Sequence, residues 1–267
     1  MPLNSARAHA VLEMMRVAVT IAMVLLSVSN VVRLASAADP DPVQDFCIGD
    51  PKSSVTVNGL PCKNPKDVTN ADFVSLALER GGNTSSVYTG CAVTMAFAPQ
   101  FPGINTQGIS MARLDFAKNG GLNAPHWHPR ASEILFVVNG TLLVGFVDTT
   151  NRLWSSVVPT GGVTFFPRGL LHFQLNLAKT PALAIVALNS QNPGREDAGP
   201  ASFGSNIPDV VLQKTFNLTK EVVDELKAFF EKAGINGNNK ITQASESPLL
   251  LNDFDSVFEH MKNLAEQ

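Results

Sequence analysis
Between residues 93 and 188 the apolar positions recur at short, strand-like spacing. Across residues 108–116, Ile109, Met111, Arg113 and Asp115 alternate with the residues between them, the period of a strand whose two faces differ. Ile134-Leu135-Phe136-Val137-Val138 is a continuous apolar run that ends at Asn139-Gly140. That pair reads as a two-residue hairpin turn continued by residues 141–147. Further strands are expected over 153–158, 163–166, 172–177 and 183–188, separated by Gly, Pro, Asn or Lys-Thr-Pro. Many short strands with frequent turns predict an all-β antiparallel sandwich or barrel.

Helical spacing appears on both flanks. Within residues 66–80, Phe73, Val74, Leu76 and Leu78 give a helical signal that Gly81-Gly82 ends. After Pro208, Val222, Val223, Leu226, Phe229 and Phe230 form a stripe, with Thr219 as cap and Gly234 beyond the end. Residues 235–247 read as a polar linker. Phe254, Val257, Phe258, Met261 and Leu264 then predict a short amphipathic helix, with His260 solvated on it.

The first 37 residues read as a secretory signal. Arg7 and Arg16 open it, residues 17–32 are mostly apolar, and Ala35-Ser36-Ala37 offers a cleavage site. The apolar run is short for a membrane span. Its removal moves the formal net charge from −3 to −5, a mild acidity with no footprint for nucleic acid. The remaining length suits one domain, expected over 38–234. Asn83-Thr84-Ser85 and Asn217-Leu218-Thr219 are glycosylation sequons, and Asn139-Gly140-Thr141 fits the pattern inside a tight turn.

The candidate chemistry is concentrated. Of five histidines, three fall in two stretches: His126 and His128 in Gly120–Trp127 and its continuation, and His172 after Pro167-Arg168-Gly169. Residues i and i+2 of a strand share a face, so His126 and His128 can point together into a barrel. Glu133 follows after a short loop. Three imidazoles and one carboxylate make a ligand set for a divalent transition metal. No cysteine belongs to it, unlike many structural zinc sites.

These residues resemble the two cupin motifs. The first runs from Gly120 through His126, His128 and Glu133 to Gly140, the second from Gly161 through Pro167, Gly169 and His172 to Asn176. The wording Gln44-Asp45-Phe46-Cys47, Gly59-Leu60-Pro61-Cys62-Lys63 and Ser190-Gln191-Asn192-Pro193-Gly194 is similar to that of germins and germin-like proteins. The resemblance implies a double-stranded β-helix, or jelly-roll barrel, with C-terminal helices. It implies manganese at His126, His128, Glu133 and His172, although the ligands alone leave iron, copper and zinc open. It also implies a Cys47–Cys62 disulfide, worth roughly 3 kcal/mol for a loop of that length in the chain-entropy model. Cys91 is left as a small buried residue.

Homo-oligomers, as dimers or hexamers, and an extracellular or cell-wall location follow from the same resemblance. Two activities are familiar in the family: superoxide dismutation and oxalate oxidation. A non-catalytic storage or receptor-like role is the third alternative. Gln174 and Asn123 are the candidate polar groups beside the metal, with Asn176 on the same strand face as Gln174. Leu135, Phe136 and Phe166 are candidates to keep the cavity apolar. True germins use two asparagines to hold oxalate. Asn123 matches one, whereas the Ser110-Met111-Ala112-Arg113 segment carries Ala112 where the other belongs. Losing an amide that bonds a carboxylate weakens such a substrate, so superoxide ranks above oxalate.

Overall fold
The computed structural model describes residues 9, 13–23, 44–55 and 59–232. Residues 1–40 and 41–267 separate into two units. In the first, residues 13–23 are helical, with an exposed Arg16–Glu13 ion pair. Among the described residues no helix is long and apolar enough to cross a membrane. The expected cleavage site and the linker and helix of 235–267 lie outside the described residues.

The described residues of the second unit hold ten strands: β1 Cys91–Ala96, β2 Ser110–Phe116, β3 Gly121–Trp127, β4 Glu133–Asn139, β5 Thr141–Val147, β6 Leu153–Pro159, β7 Val163–Phe166, β8 His172–Asn176, β9 Ala182–Leu188 and β10 Glu196–Asp197. They form two five-stranded antiparallel sheets, ordered β1-β2-β9-β4-β7 and β10-β3-β8-β5-β6. This is the expected all-β jelly roll. The core lies between the sheets, where Leu114, Phe116, Leu135, Val137, Leu142, Phe166, Ala184 and Val186 are buried.

The pairing corrects one expectation. Asn139-Gly140 does not close a hairpin, because β4 and β5 belong to different sheets. It is a corner that carries the chain from one sheet to the other. Gly140 has φ +90°, and a Cβ there would lie 2.7 Å from that of Ala182. Both the backbone conformation and the close approach require glycine. β5 instead forms a hairpin with β6. Its turn is organised by Asp148, which accepts from Thr150 N, Arg152 N and Trp154 Nε1.

The helix expected within 66–80 is also absent. Two short 3-10 turns, Pro65–Asp67 and Asn70–Phe73, take its place, and Val74 is already extended. Asp72 accepts from Thr69 N and from Lys63, which caps one turn but starts no longer helix. Leu76 is 73% exposed, so the apolar spacing there has no core to pack against.

Cys47 and Cys62 are bonded. Cys91 is buried, and burial pushes its thiol up to about 12, which makes it inert. Among the described residues three helices follow the barrel: α1 Ala198–Phe203, α2 Asp209–Phe216 and α3 Lys220–Lys232. The helical stripe folds partly on its own chain. Val223 and Phe230 are buried, and Phe229 meets Tyr88 edge-on. Val222 and Phe229 keep substantial exposure.

Candidate metal centre
Four elements bring the candidate ligands together. His126 is near the end of β3, His128 follows that strand, Glu133 opens β4 and His172 opens β8. All four are buried, and one donor atom from each lies within 4.8 Å of the others. His126 and His172 are register partners across β3 and β8.

Local backbone chemistry explains how β3 aims its side chains. Asn123 and His126 are three apart, so a regular strand would turn them to opposite faces. The β3–β8 register slips between them, at Ala124-Pro125. Proline cannot donate to a ladder and is tolerated at such a bulge. The slip resets the parity, and Asn123, His126 and His128 are all buried.

Each imidazole is fixed by a backbone carbonyl. His126 Nδ1 donates to Ala124 O at 2.8 Å, His172 Nδ1 to Leu170 O at 2.8 Å, and His128 Nδ1 to Gly194 O. A carbonyl only accepts, so the proton of each neutral ring sits on Nδ1 and the Nε2 lone pair is left for another partner. The Gly194 segment is itself fastened to the loop beside it: Arg130 N donates to Pro193 O, Arg130 Nε to Asn192 O, and Ser132 N to Asn189 Oδ1. Phe166 stacks on His172, with ring centroids 4.5 Å apart.

The donors fit a metal ion. His128 Nε2 lies 3.0 Å, and His172 Nε2 3.8 Å, from Glu133 Oε2. An ion about 2.0–2.2 Å from each donor would set adjacent donors about 3 Å apart. Glu133 Oε1 and His172 Nε2 are buried without a hydrogen-bond partner. Buried polar atoms are seldom left so, and a cation would satisfy both. Burial pushes the Glu133 carboxyl up, but His128 and His172 beside it outweigh burial and hold it at about 2. His126 is pushed well below the usual imidazole range, first by burial and then by the positive charge of Arg195. It is therefore neutral and able to ligate.

The neighbouring groups divide. Asn123 Nδ2 donates to Gln174 Oε1 at 2.6 Å, and Gln174 Nε2 is buried without a protein partner. Asn176 is fully engaged elsewhere: it donates to Ala117 O and Thr180 O and accepts from Ala178 N. It ties loops together and makes no hydrogen bond to a candidate ligand. Leu135 and Phe166 are buried as expected, but Phe136 is 44% exposed. It lies one residue out of phase with Glu133, Leu135 and Val137, which all face inward. A cavity of about 30 Å³ adjoins the ligands and is lined by Ala112, Asn123, His126, His128, Glu133 and Arg195, among others. Arg195 escaped the sequence reading. Its only signal was a charged residue directly after Pro193-Gly194.

Residues 77–224 match the family model described as Cupin. Over 214 residues the chain is 44% identical to germin-like protein subfamily 2 member 1 of Arabidopsis thaliana, spanning 79% of this chain and 97% of that one. It is 49% identical over 221 residues to germin-like protein 4-1 of Oryza sativa subsp. japonica, spanning 80% and 86%. A solved oxalate oxidase structure superposes with a TM-score of 0.70 at 45% identity, covering 73% of this chain and 99% of that chain. With the two-sheet barrel and its cluster of three histidines and one glutamate, these likenesses show that the chain belongs to the germin-like proteins of the cupin family.

Proposed function
We propose that this germin-like cupin is a secreted manganese protein that dismutes superoxide, with His126, His128, Glu133 and His172 holding one ion. The observation that carries this reading is the convergence of four buried donors whose histidines are all locked at Nδ1. Bound manganese would supply a one-electron couple, so that one superoxide is oxidised to dioxygen while a second is reduced and takes up two protons to leave as hydrogen peroxide.

The chain's own groups supply position and protons. Gln174 Nε2 is a buried donor without a protein partner, suited to hold a proton-carrying water. Asn123 fixes the orientation of that amide through Gln174 Oε1. Gln174→Leu is expected to keep the ion and slow turnover at least tenfold, the usual scale for losing positioned proton transfer being about 10²–10⁴. Full turnover with the ion retained would remove Gln174 from the reaction.

The likeness to oxalate oxidase favours oxalate oxidation as the second reading. Ala112 weighs against it. It is buried, lines the same cavity as Asn123, and has no amide to offer a carboxylate. A cavity of about 30 Å³ has room for only a few atoms beside an ion. Elemental analysis and two assays on purified, manganese-loaded protein separate the readings. Superoxide consumption without oxalate-dependent peroxide supports dismutation. Oxalate-dependent peroxide supports the oxidase. Silence in both, with manganese bound, supports a storage or receptor-like role.

The same reading places a leader over 1–37, the barrel and its helices over 38–234, and a linker with a short helix over 235–267. The leader and the Cys47–Cys62 disulfide suit the extracellular space or cell wall. Asn83 and Asn217 are exposed and able to carry glycans. Homo-oligomers are supported by the exposed outer face of the first sheet, where Met111, Ile134, Phe136, Val163 and Phe165 are each at least 44% accessible.

A further inference from the structure
The barrel has a side opening. β1 is the edge of one sheet and β10 the edge of the other. Val93 and Met95 of β1 pair with Leu114 and Ala112, which are buried toward the interior. Cross-strand partners share a face, so Val93 and Met95 also look inward. Yet they are 37% and 39% exposed. They line the small ligand cavity together with Phe97, Asn123, His126, His128, Glu133 and Arg195.

Arg195 stands at this opening, immediately before β10. Asp197 is the register partner of the inward-facing His126, and strand parity sets Arg195 on the same face as Asp197. Arg195 Nε donates to Asp197 Oδ2 at 3.0 Å and Nη2 donates to Oδ1. The two side chains are each 29% exposed, whereas His126, His128 and Glu133 are buried. Among the described residues lining this cavity, Arg195 alone carries a permanent positive charge.

We propose that Arg195 attracts small anions into the cavity of the candidate metal ligands, and that Asp197 sets how much of its charge an arriving anion feels. The inference rests on reading the four ligands as a metal centre that handles an anion. A cation at a narrow opening with apolar walls focuses its field inward and raises the local anion concentration. Here the neighbouring wall is Val93, Met95, Phe97, Leu114 and Val186. A guanidinium has five N–H donors, and the Asp197 pair uses two. The alternative is that the pair only fastens the short β10 edge. Exposed ion pairs commonly contribute little to stability. Either single substitution would break that fastening alike, so a purely structural pair predicts the same direction of change from both. Anion attraction predicts opposite directions.

The test is azide titration of the manganese-loaded full chain, followed by the metal's absorption or magnetic resonance spectrum, with manganese content measured beside it. Arg195→Gln is expected to weaken azide about tenfold and Asp197→Asn to tighten it several-fold, both effects shrinking as ionic strength rises. Arg195→Lys, which keeps the charge and loses the fork, is expected to stay within about threefold of the parent. If the parent holds no manganese, the metal reading fails and this inference falls with it. If manganese is held but both variants shift azide in one direction, or neither shifts it, this inference alone is overturned. An Arg195→Lys protein that folds, holds manganese and loses azide as Arg195→Gln does would likewise overturn it.

Discussion
The two sheets differ in what their inner faces carry. In β1-β2-β9-β4-β7 the inward positions are mostly apolar: Ala112, Leu114, Phe116, Leu135, Val137, Ala184, Val186 and Leu188, with Ser110 and Glu133 the buried polar exceptions. In β10-β3-β8-β5-β6 the inner face holds Asn123, His126, His172, Gln174 and Asn176, as deeply buried as the leucines opposite. The first wall is held by packing, whereas the second combines packing by Leu142, Val144 and Val158 with fixed hydrogen bonds among its polar groups. The polar wall is tolerable because most of its donors and acceptors are assigned; of those left over, His172 Nε2 is one of the candidate metal donors and Gln174 Nε2 lies two residues along the same strand. A buried polar network is stable only when its members are satisfied.

The strongest way to break this contrast is to remove the one ligand on the apolar wall or a histidine opposite. Glu133→Gln and His126→Ala are each expected to lower manganese affinity by more than about 100-fold, since even outer partners of metal ligands cost 10- to 100-fold. Equilibrium dialysis with elemental analysis reads this, and ion binding at the parent's affinity would refute the ligand assignment. On the apolar wall, Leu135→Ala is expected to cost about 2–5 kcal/mol of stability while leaving the ligand set able to bind manganese. Chemical denaturation and dialysis would show the two effects separate.

Acid sharpens the difference further. Folded His126 is held below the usual imidazole range, so between pH 6.5 and its lowered value the unfolded chain binds a proton the folded one refuses. Stability of the ion-free protein should therefore fall as pH drops below about 6.5. Glu133 adds to the loss below about 4.5, and its contribution disappears as pH passes down through about 2. Denaturation of ion-free protein at pH 7 and pH 5 checks the first step, and equal stability at both would contradict it. The smallest expected effect on the protomer is from Phe165→Asp, on the outer face of the first sheet. Phe165 is 60% exposed, so the protomer's stability should change by about 0.5 kcal/mol or less. Self-association should weaken, as light scattering would show.

The ligand set was legible because histidine is scarce and its spacing here is specific. Strand parity is a sound rule, and it succeeds at Glu133, Leu135 and Val137. Applied consistently it turns Phe136 outward. Parity fails at Asn123 and His126, where the register slip lies between them, and only a motif match anticipates both facing in. Asn139-Gly140 misleads because a corner between sheets and a hairpin within one place the same demand on glycine. The signal within 66–80 misleads because periodicity says nothing about whether a core is there to receive it. Arg195 went unseen because its role depends on two edge strands meeting, which no local pattern records.

The slip at Ala124-Pro125 has a wider consequence. Removing one residue there is expected to restore regular alternation and turn either the histidines or Asn123 outward, with the leucines and valines of the other strands left in register. The ligand geometry and the architecture of the barrel therefore hang on different features of the chain. A lineage with this barrel could give up its candidate metal site in one step and keep a sound scaffold for other uses.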